Sequence, residues 1–182
     1  MKKIIISILA LATISISANA NWYAGGGLGF GFSSNNGTSN TTFGIAPEAG
    51  YKFSDKCAAG LSLDFSVSSI ASGGERLGSF QFTVNPYFRY NFVQFGPVTL
   101  FGDAVVALGT TKEFASSKEM SVSSSPAFIW GVSVQPGLSV AINDAWSLVG
   151  HIGGIGYAGT KNTGAFQINL LNQLSIGIFR NF

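Results

Sequence analysis

From Trp22 to Phe182 the chain alternates large apolar and small polar residues with a period of two, the mark of strands with two unlike faces. In the first such run Trp22, Ala24, Leu28, Phe30 and Phe32 share one face, while Tyr23, Gly25, Gly27, Gly29 and Gly31 share the other. The second sets Phe43, Ile45, Pro47, Ala49, Tyr51 and Phe53 against Thr42, Gly44, Glu48, Gly50 and Lys52. The third sets Leu61, Leu63, Phe65 and Val67 against Gly60, Ser62, Asp64 and Ser66, and the fourth sets Phe80, Phe82, Phe88 and Tyr90 against Gln81, Thr83, Tyr87 and Arg89. A fifth run covers 98–108, with Phe101 and Asp103 on its polar face. A sixth follows Phe128, Trp130, Val132 and Val134, and a glycine-rich seventh opposes Trp146, Leu148 and Ile152 to Ser147 and His151. The eighth ends the chain with Ile168, Ile176, Ile178 and Phe182 on its apolar face. Helical spacing is nearly absent. Eight strands of roughly 9–11 residues or more, an even number, suit tilted crossings of a bilayer.

The connections alternate in length. Short turns are expected at 54–56, 94–97 and 143–145, and longer polar loops at 33–41, 69–78, 109–125 and 158–164. An all-antiparallel up-and-down barrel, with both termini on the short-turn side, has this rhythm. Pro47, Pro86 and Pro136 interrupt strands, and each deletes a ladder donor, so bulges or strand ends are expected there.

Alternation does not say which face is inside, because a soluble ligand-carrying barrel alternates as well. Composition separates the two. Only 10% of the 182 residues are charged, against roughly 25% in an ordinary soluble domain. The polar face is mainly Gly, Ser, Thr, Asn and Gln, which suits a narrow hydrogen-bonded lumen better than a water-facing exterior. Aromatic residues gather at strand ends, with Trp22, Tyr51, Phe53, Tyr90, Phe92 and Trp146 toward the short turns. Phe30, Phe32, Phe43, Phe80, Phe128 and Phe166 lie toward the long connections, so two girdles bracket an oily belt. The fold class expected is all-β, an eight-stranded antiparallel up-and-down transmembrane β-barrel. A soluble carrier of an apolar ligand ranks behind it.

Residues 1–20 read as a secretory signal peptide: Met1-Lys2-Lys3, an apolar run from Ile4 to Ile16, then Ala18-Asn19-Ala20 before the expected cut. The barrel then occupies residues 21–182. Loss of Lys2 and Lys3 takes the formal charge from +2 to zero, which gives phosphate-driven nucleic-acid binding no support. Cys57 is the single cysteine, so an internal disulfide and a paired-cysteine metal or redox site are excluded.

The eight alternating runs resemble those of the small eight-stranded outer-membrane β-barrels, the family typified by outer-membrane protein X and the membrane domain of outer-membrane protein A. The resemblance covers residues 21–182. Its most specific motif is the last strand, with Leu174, Ile176 and Ile178 at alternate positions before the terminal Phe182, similar to the signal read by the barrel-assembly machinery. Arg180 departs from that motif, where an apolar residue is usual. The resemblance implies residence in the bacterial outer membrane as a monomer surrounded by its lipid, with no cofactor and no metal. No peptidoglycan-binding domain is expected after Phe182.

Some small barrels of this kind are enzymes acting on lipid A or on peptides. Here Ile152-Gly153 follows His151, so the His-x-Ser arrangement of the lipid A deacylases is absent, and His151 falls on the lumen face, away from lipid. No catalytic residue is assigned. Glu48, Asp64, Arg89, Asp103 and His151 should form one ionic layer inside, with Glu48 nearly opposite Asp64 and Arg89 near Asp103. Two facing carboxylates repel unless Arg89 or protonated His151 compensates them. That layer reads as a structural plug, or alternatively as the gate of a narrow channel for ions or very small solutes. Inward Tyr87, Gln81 and Phe101 are expected to fill the volume that the glycines leave. Finally, 109–125 carries a small echo, Lys112-Glu113-Phe114 and Lys118-Glu119-Met120, which places an apolar residue beside each ion pair. Such a loop suits contact with a host surface or another protein. The function expected is structural or adhesion-type, through the outward loops.

Overall fold

The structure, a computed structural model, describes residues 21–35, 38–72, 75–116 and 121–182. The lysine-bearing leader and Lys118, Glu119 and Met120 lie outside them. Nine strands follow one another: β1 (Trp22–Asn35), β2 (Thr38–Lys52), β3 (Cys57–Ser72), β4 (Glu75–Phe95), β5 (Val98–Ser116), β6 (Ser121–Ser123), β7 (Ala127–Ala141), β8 (Trp146–Thr160) and β9 (Gly164–Asn181). Each long strand pairs antiparallel with its neighbours in sequence, and β1 pairs with β9, which closes a ring of eight. The short β6 does not add a stave. It pairs with β5 at 114–116, on the same side of β5 that β7 occupies from Thr111 downward, and so continues the track of β7.

Closure follows from the solvent. In hydrocarbon an unpaired N–H or C=O costs several kcal/mol, so strands can cross only in a sheet without free edges. The side chains then sort as the alternation predicts. Phe30 is 60% exposed, Phe128 53% and Phe166 64%, all on the outer surface, while the partners on the other face turn inward. Both girdles stand outside as well, Trp22, Tyr51, Phe53, Tyr90, Phe92 and Trp146 at one end among them. Among the described residues no helix is long and apolar enough to cross a membrane.

The tips differ from the expectation of long loops. β1 and β2 stay paired as far as Asn35 and Thr38, β3 and β4 as far as Ser72 and Glu75, and β4 and β5 as far as Arg76 and Ser116. Segments rich in Ser, Thr and Asn lose the apolar alternation that marks a strand, yet the backbone ladder continues, since it needs only N–H and C=O groups in register. The short turns are tight, and Gly96 occupies a left-handed conformation (φ 56°) in the one between β4 and β5, where a side chain would be strained.

The prolines divide. Pro136 lies at the register shift between Val134 and Gly137 on the β8 side, as expected. Pro47 and Pro86 sit in unshifted register instead. Pro47 stays opposite Gly26 while its positions against β3 drop out, and Pro86 stays opposite Leu61 while those against β5 drop out. Each residue in an antiparallel ladder turns its N–H to one neighbour only, so a proline without a bulge opens one seam locally and leaves the other intact. Two further register shifts fall elsewhere: one between Asn91 and Val93, in the β4–β5 seam, and one between Ile152 and Gly154, which carries Gly153 at φ 55° and shifts β8 against β9.

Candidate functional site

The lumen is filled at the end nearest the termini. Arg89 on β4 stands directly across from Asp103 on β5, and the register delivers a two-pronged ion pair: Nε donates to Oδ1 at 2.8 Å and Nη2 to Oδ2 at 2.7 Å. The same Nη2 lies 3.4 Å from Glu48 Oε1 on β2. On β8, His151 Nε2 is 2.9 Å from Asp103 Oδ2, and since a carboxylate only accepts, Nε2 carries the hydrogen. Its Nδ1 lies 3.4 Å from the Ser175 hydroxyl on β9. Tyr87 donates its hydroxyl to Glu48 Oε1 at 2.5 Å. Having one hydrogen only, Tyr87 accepts the bond from the Tyr23 hydroxyl on β1, 2.6 Å away. One network therefore ties six staves together across the lumen.

Aromatic rings complete the closure. Phe101, 2% exposed, lies under the Arg89 guanidinium with 4.1 Å from its carbon to the ring centre, and meets His151 edge-on at 5.3 Å. Phe179 packs edge-on to Tyr23 at 6.2 Å. Each of the four inward rings stands directly across a seam from a glycine: Tyr23 from Gly50, Tyr87 from Gly60, Phe101 from Gly137 and Phe179 from Gly25. A Cβ at any of those glycines would run into the facing ring, so the glycine is what lets the ring lie across the wall.

Of the residues singled out from the sequence, Glu48, Arg89, Asp103 and His151 meet in this plug. Asp64 does not join them. Glu48 pairs with Ser62, so Asp64 sits two residues further along β3, where it accepts from Ser62 Oγ at 2.9 Å and from Asn85 Nδ2 at 2.6 Å. Tyr87 and Phe101 fill the plug, whereas Gln81 lines the space above it. That space is a cavity of about 610 Å³, which runs from Tyr87 and Asp103 past Asp64 to Ser33 and Asn40 near the hairpin tips. Tyr23, Phe179, Ser175 and Asn85 carry as much of the lumen as the residues picked out, and only the facing register reveals them. Lys112, Glu113 and Phe114 belong to β5 rather than to a loop. The Phe114 ring covers Gly78 on β4, and the Glu113 N–H donates to Ser124 Oγ at 3.0 Å, so this part of the tip is held rather than loose.

The row Asp103, His151, Ser175 has the order of a charge-relay triad. Its setting is wrong for acyl transfer. Asp103 already neutralises Arg89, and Ser175 sits in a continuous ladder, opposite Gly29 on one side and His151 on the other. Oxyanion stabilisation needs backbone donors that are free to point at a reacting oxygen, and a laddered strand offers none. Among the described residues no three His, Cys, Asp or Glu side chains converge as a metal site.

Comparison with known proteins agrees with this architecture. Among solved structures, Neisserial surface protein A superposes with a TM-score of 0.55 at 18% identity, covering 90% of this chain and 98% of that one. Ail, the attachment invasion locus protein of Yersinia pestis, gives 0.49 at 14%, covering 88% and 96%. The N-terminal β-barrel domain of Pseudomonas aeruginosa OprF gives 0.47 at 12%, covering 90% and 98%. No curated protein matches the sequence. Residues 5–172 match the family described as outer membrane protein beta-barrel domain, and with that match spanning most of its length the chain belongs to this family, its oily belt facing the lipid of a bacterial outer membrane.

Proposed function

We propose that this barrel is a non-enzymatic, monomeric surface component of the outer membrane, which holds its hairpin tips outside the cell for contact with a host surface or another protein. The observation that carries the reading is the continuation of the β4–β5 ladder to Arg76 and Ser116, with Lys112 and Phe114 exposed along it. A paired hairpin presents cationic and apolar groups without the ordering cost that a loose loop meets on binding. The plug supports the same reading, because a lumen crossed by Phe101, Tyr87 and the Arg89 network offers no wide aqueous path.

Residues 1–20 are removed on export in this reading, and the terminal Phe182 with outward Ile178 and Ile176 is what the barrel-assembly machinery engages. The test is binding of intact cells to immobilised host extracellular matrix. Cells carrying Lys112→Ala with Phe114→Ala should lose binding while keeping wild-type surface amounts of the barrel. Undiminished binding would refute the assignment to this hairpin. A fluorophosphonate probe should leave Ser175 unlabelled, and labelling that disappears in Ser175→Ala would revive catalysis.

A second reading, a narrow gated passage for ions, is favoured by one feature. The Arg89 fork lies between two carboxylates, 2.7 Å from Asp103 and 3.4 Å from Glu48, and a swing toward Glu48 would loosen the crossing. Planar-bilayer recordings of Glu48→Gln and Arg89→Ala decide it, since unchanged conductance in both removes the gate.

A further inference from the structure

We infer that Arg180 and the notch beside it form a site for one anionic phospholipid, with the phosphodiester on the guanidinium and an acyl chain laid along the β1–β9 seam. Phe179 is buried in the lumen, so Arg180 turns outward, where it is exposed. It stands opposite Ala24 on one side and Trp146 on the other, within the aromatic girdle at the end nearest the termini. Such a girdle marks the level of the lipid headgroups. The guanidinium carbon lies 5.0 Å from the centre of the Phe182 ring, so the side chain reaches toward the end of the barrel and out of the hydrocarbon. Among the described residues no carboxylate side chain, that of Asp144 in the adjoining turn included, lies within ion-pair distance of Arg180. A guanidinium at that level without an acid is a fork for phosphate oxygens, which it takes two at a time.

The independent sign is the shape of the wall above it. The outward positions of β1 next to Arg180 are small, Ala24 and then Gly26, whereas Ile178 on β9 and Leu148 on β8 stand tall beside them. A notch results, floored by Gly26 and Leu28, walled by Ile178, Ile176 and Leu148, and continued to Phe30. Its lining is apolar throughout and belongs to the belt that faces lipid, so its occupant is hydrocarbon. Ala24 to Phe30 is about 20 Å of strand, or about 15 Å of depth at a tilt of about 40°, half of the roughly 30 Å hydrocarbon core. The notch is therefore one leaflet deep. Its foot, Ile178, is the next outward residue of β9 after Arg180, which places chain and phosphate within one molecule's reach. A lipid whose headgroup carries its own ammonium needs Arg180 less, so the fit is to an anionic one.

The test is native mass spectrometry of the full barrel refolded in detergent micelles, with folding checked by unboiled gel mobility. Dioleoyl phosphatidylglycerol and dioleoyl phosphatidylcholine, equal in their chains, are supplied one at a time. The wild type should retain one phosphatidylglycerol about tenfold more strongly, the ratio expected of one charge-assisted contact. Arg180→Gln should abolish that preference, and Arg180→Lys should keep part of it. Dihexanoyl phosphatidylglycerol has the same headgroup with chains too short to follow the notch to Phe30, so the wild type should hold it far less. Equal retention of both headgroups by the wild type, a preference that survives in Arg180→Gln, indifference to chain length, or a protein dimer without lipid overturns the site. Headgroup choice in micelles does not depend on which leaflet this end meets, so the outcome stands apart from host contact through Lys112 and Phe114.

Discussion

Replacing Arg89 with methionine tests the plug most sharply. The guanidinium makes two charge-assisted bonds to Asp103, at 2.8 and 2.7 Å, a longer contact to Glu48, and a stacking contact 4.1 Å from Phe101. Bonds of that kind contribute about 1.5–3 kcal/mol each, and a desolvated cation over a ring about 2 kcal/mol. These gains offset a desolvation cost of similar size, so their sum is not the effect to expect. What the substitution leaves behind decides it: two buried carboxylates with no guanidinium between them, for which removal of one partner costs about 3–5 kcal/mol. Urea unfolding of the barrel in lipid vesicles reads this directly. With a slope of about 1–3 kcal/mol per molar, the midpoint should fall by one molar or more. Neutralising the acids as well, in Glu48→Gln, Arg89→Met, Asp103→Asn, should recover most of the loss, because matched neutral groups leave no orphaned charge. If Arg89→Met alone costs under about 1 kcal/mol, or if the triple variant is worse than the single one, the network is not what holds the plug.

Three further outcomes follow from the wall. Gly60→Ala would push a methyl into the Tyr87 ring and the Ala49 carbonyl, and should cost about 1–3 kcal/mol in the same assay, whereas Gly29→Ala meets nothing within 4 Å and should be neutral. Leu28→Arg, on the outer face in the middle of β1, should cost about 2–4 kcal/mol in vesicles, and indifference there would contradict a lipid-facing belt. Phe101→Ala empties the most buried ring of the plug, so the loss should reach about 3–5 kcal/mol, and a change within experimental error would show the plug already wet.

The alternation made the ring and its lipid face legible, because every inward or outward choice along a strand repeats every second residue. Arg89 and Asp103 were readable as partners for the same reason: the turn at 96–97 is short enough to count across. Asp64 was misplaced against Glu48 because the turn after Lys52 takes 53–56, where Phe53 and Ser54 both donate to the Cys57 carbonyl, and this fixes Glu48 opposite Ser62. Tyr23 and Phe179 stayed hidden for a different reason. Their significance depends on a glycine in another strand, in Phe179's case far away in sequence, and no single strand displays that pairing. The Gly153 bulge likewise changes which residues of β8 face out, so that Ile155 and Tyr157 emerge after Ile152.

Backbone bonding is blind to a two-residue slip between staves, since such a slip restores every N–H to a C=O and every side chain to its own face. The ring-over-glycine pairs are not blind to it. Displaced by two, Tyr23 would confront Glu48 or Lys52, and Phe101 would confront Gln135 or Ser139, each with a Cβ where the ring must lie. Spread over four of the eight seams, these pairs act as notches that set the stagger of the staves, and with it the tilt and the bore of the cylinder.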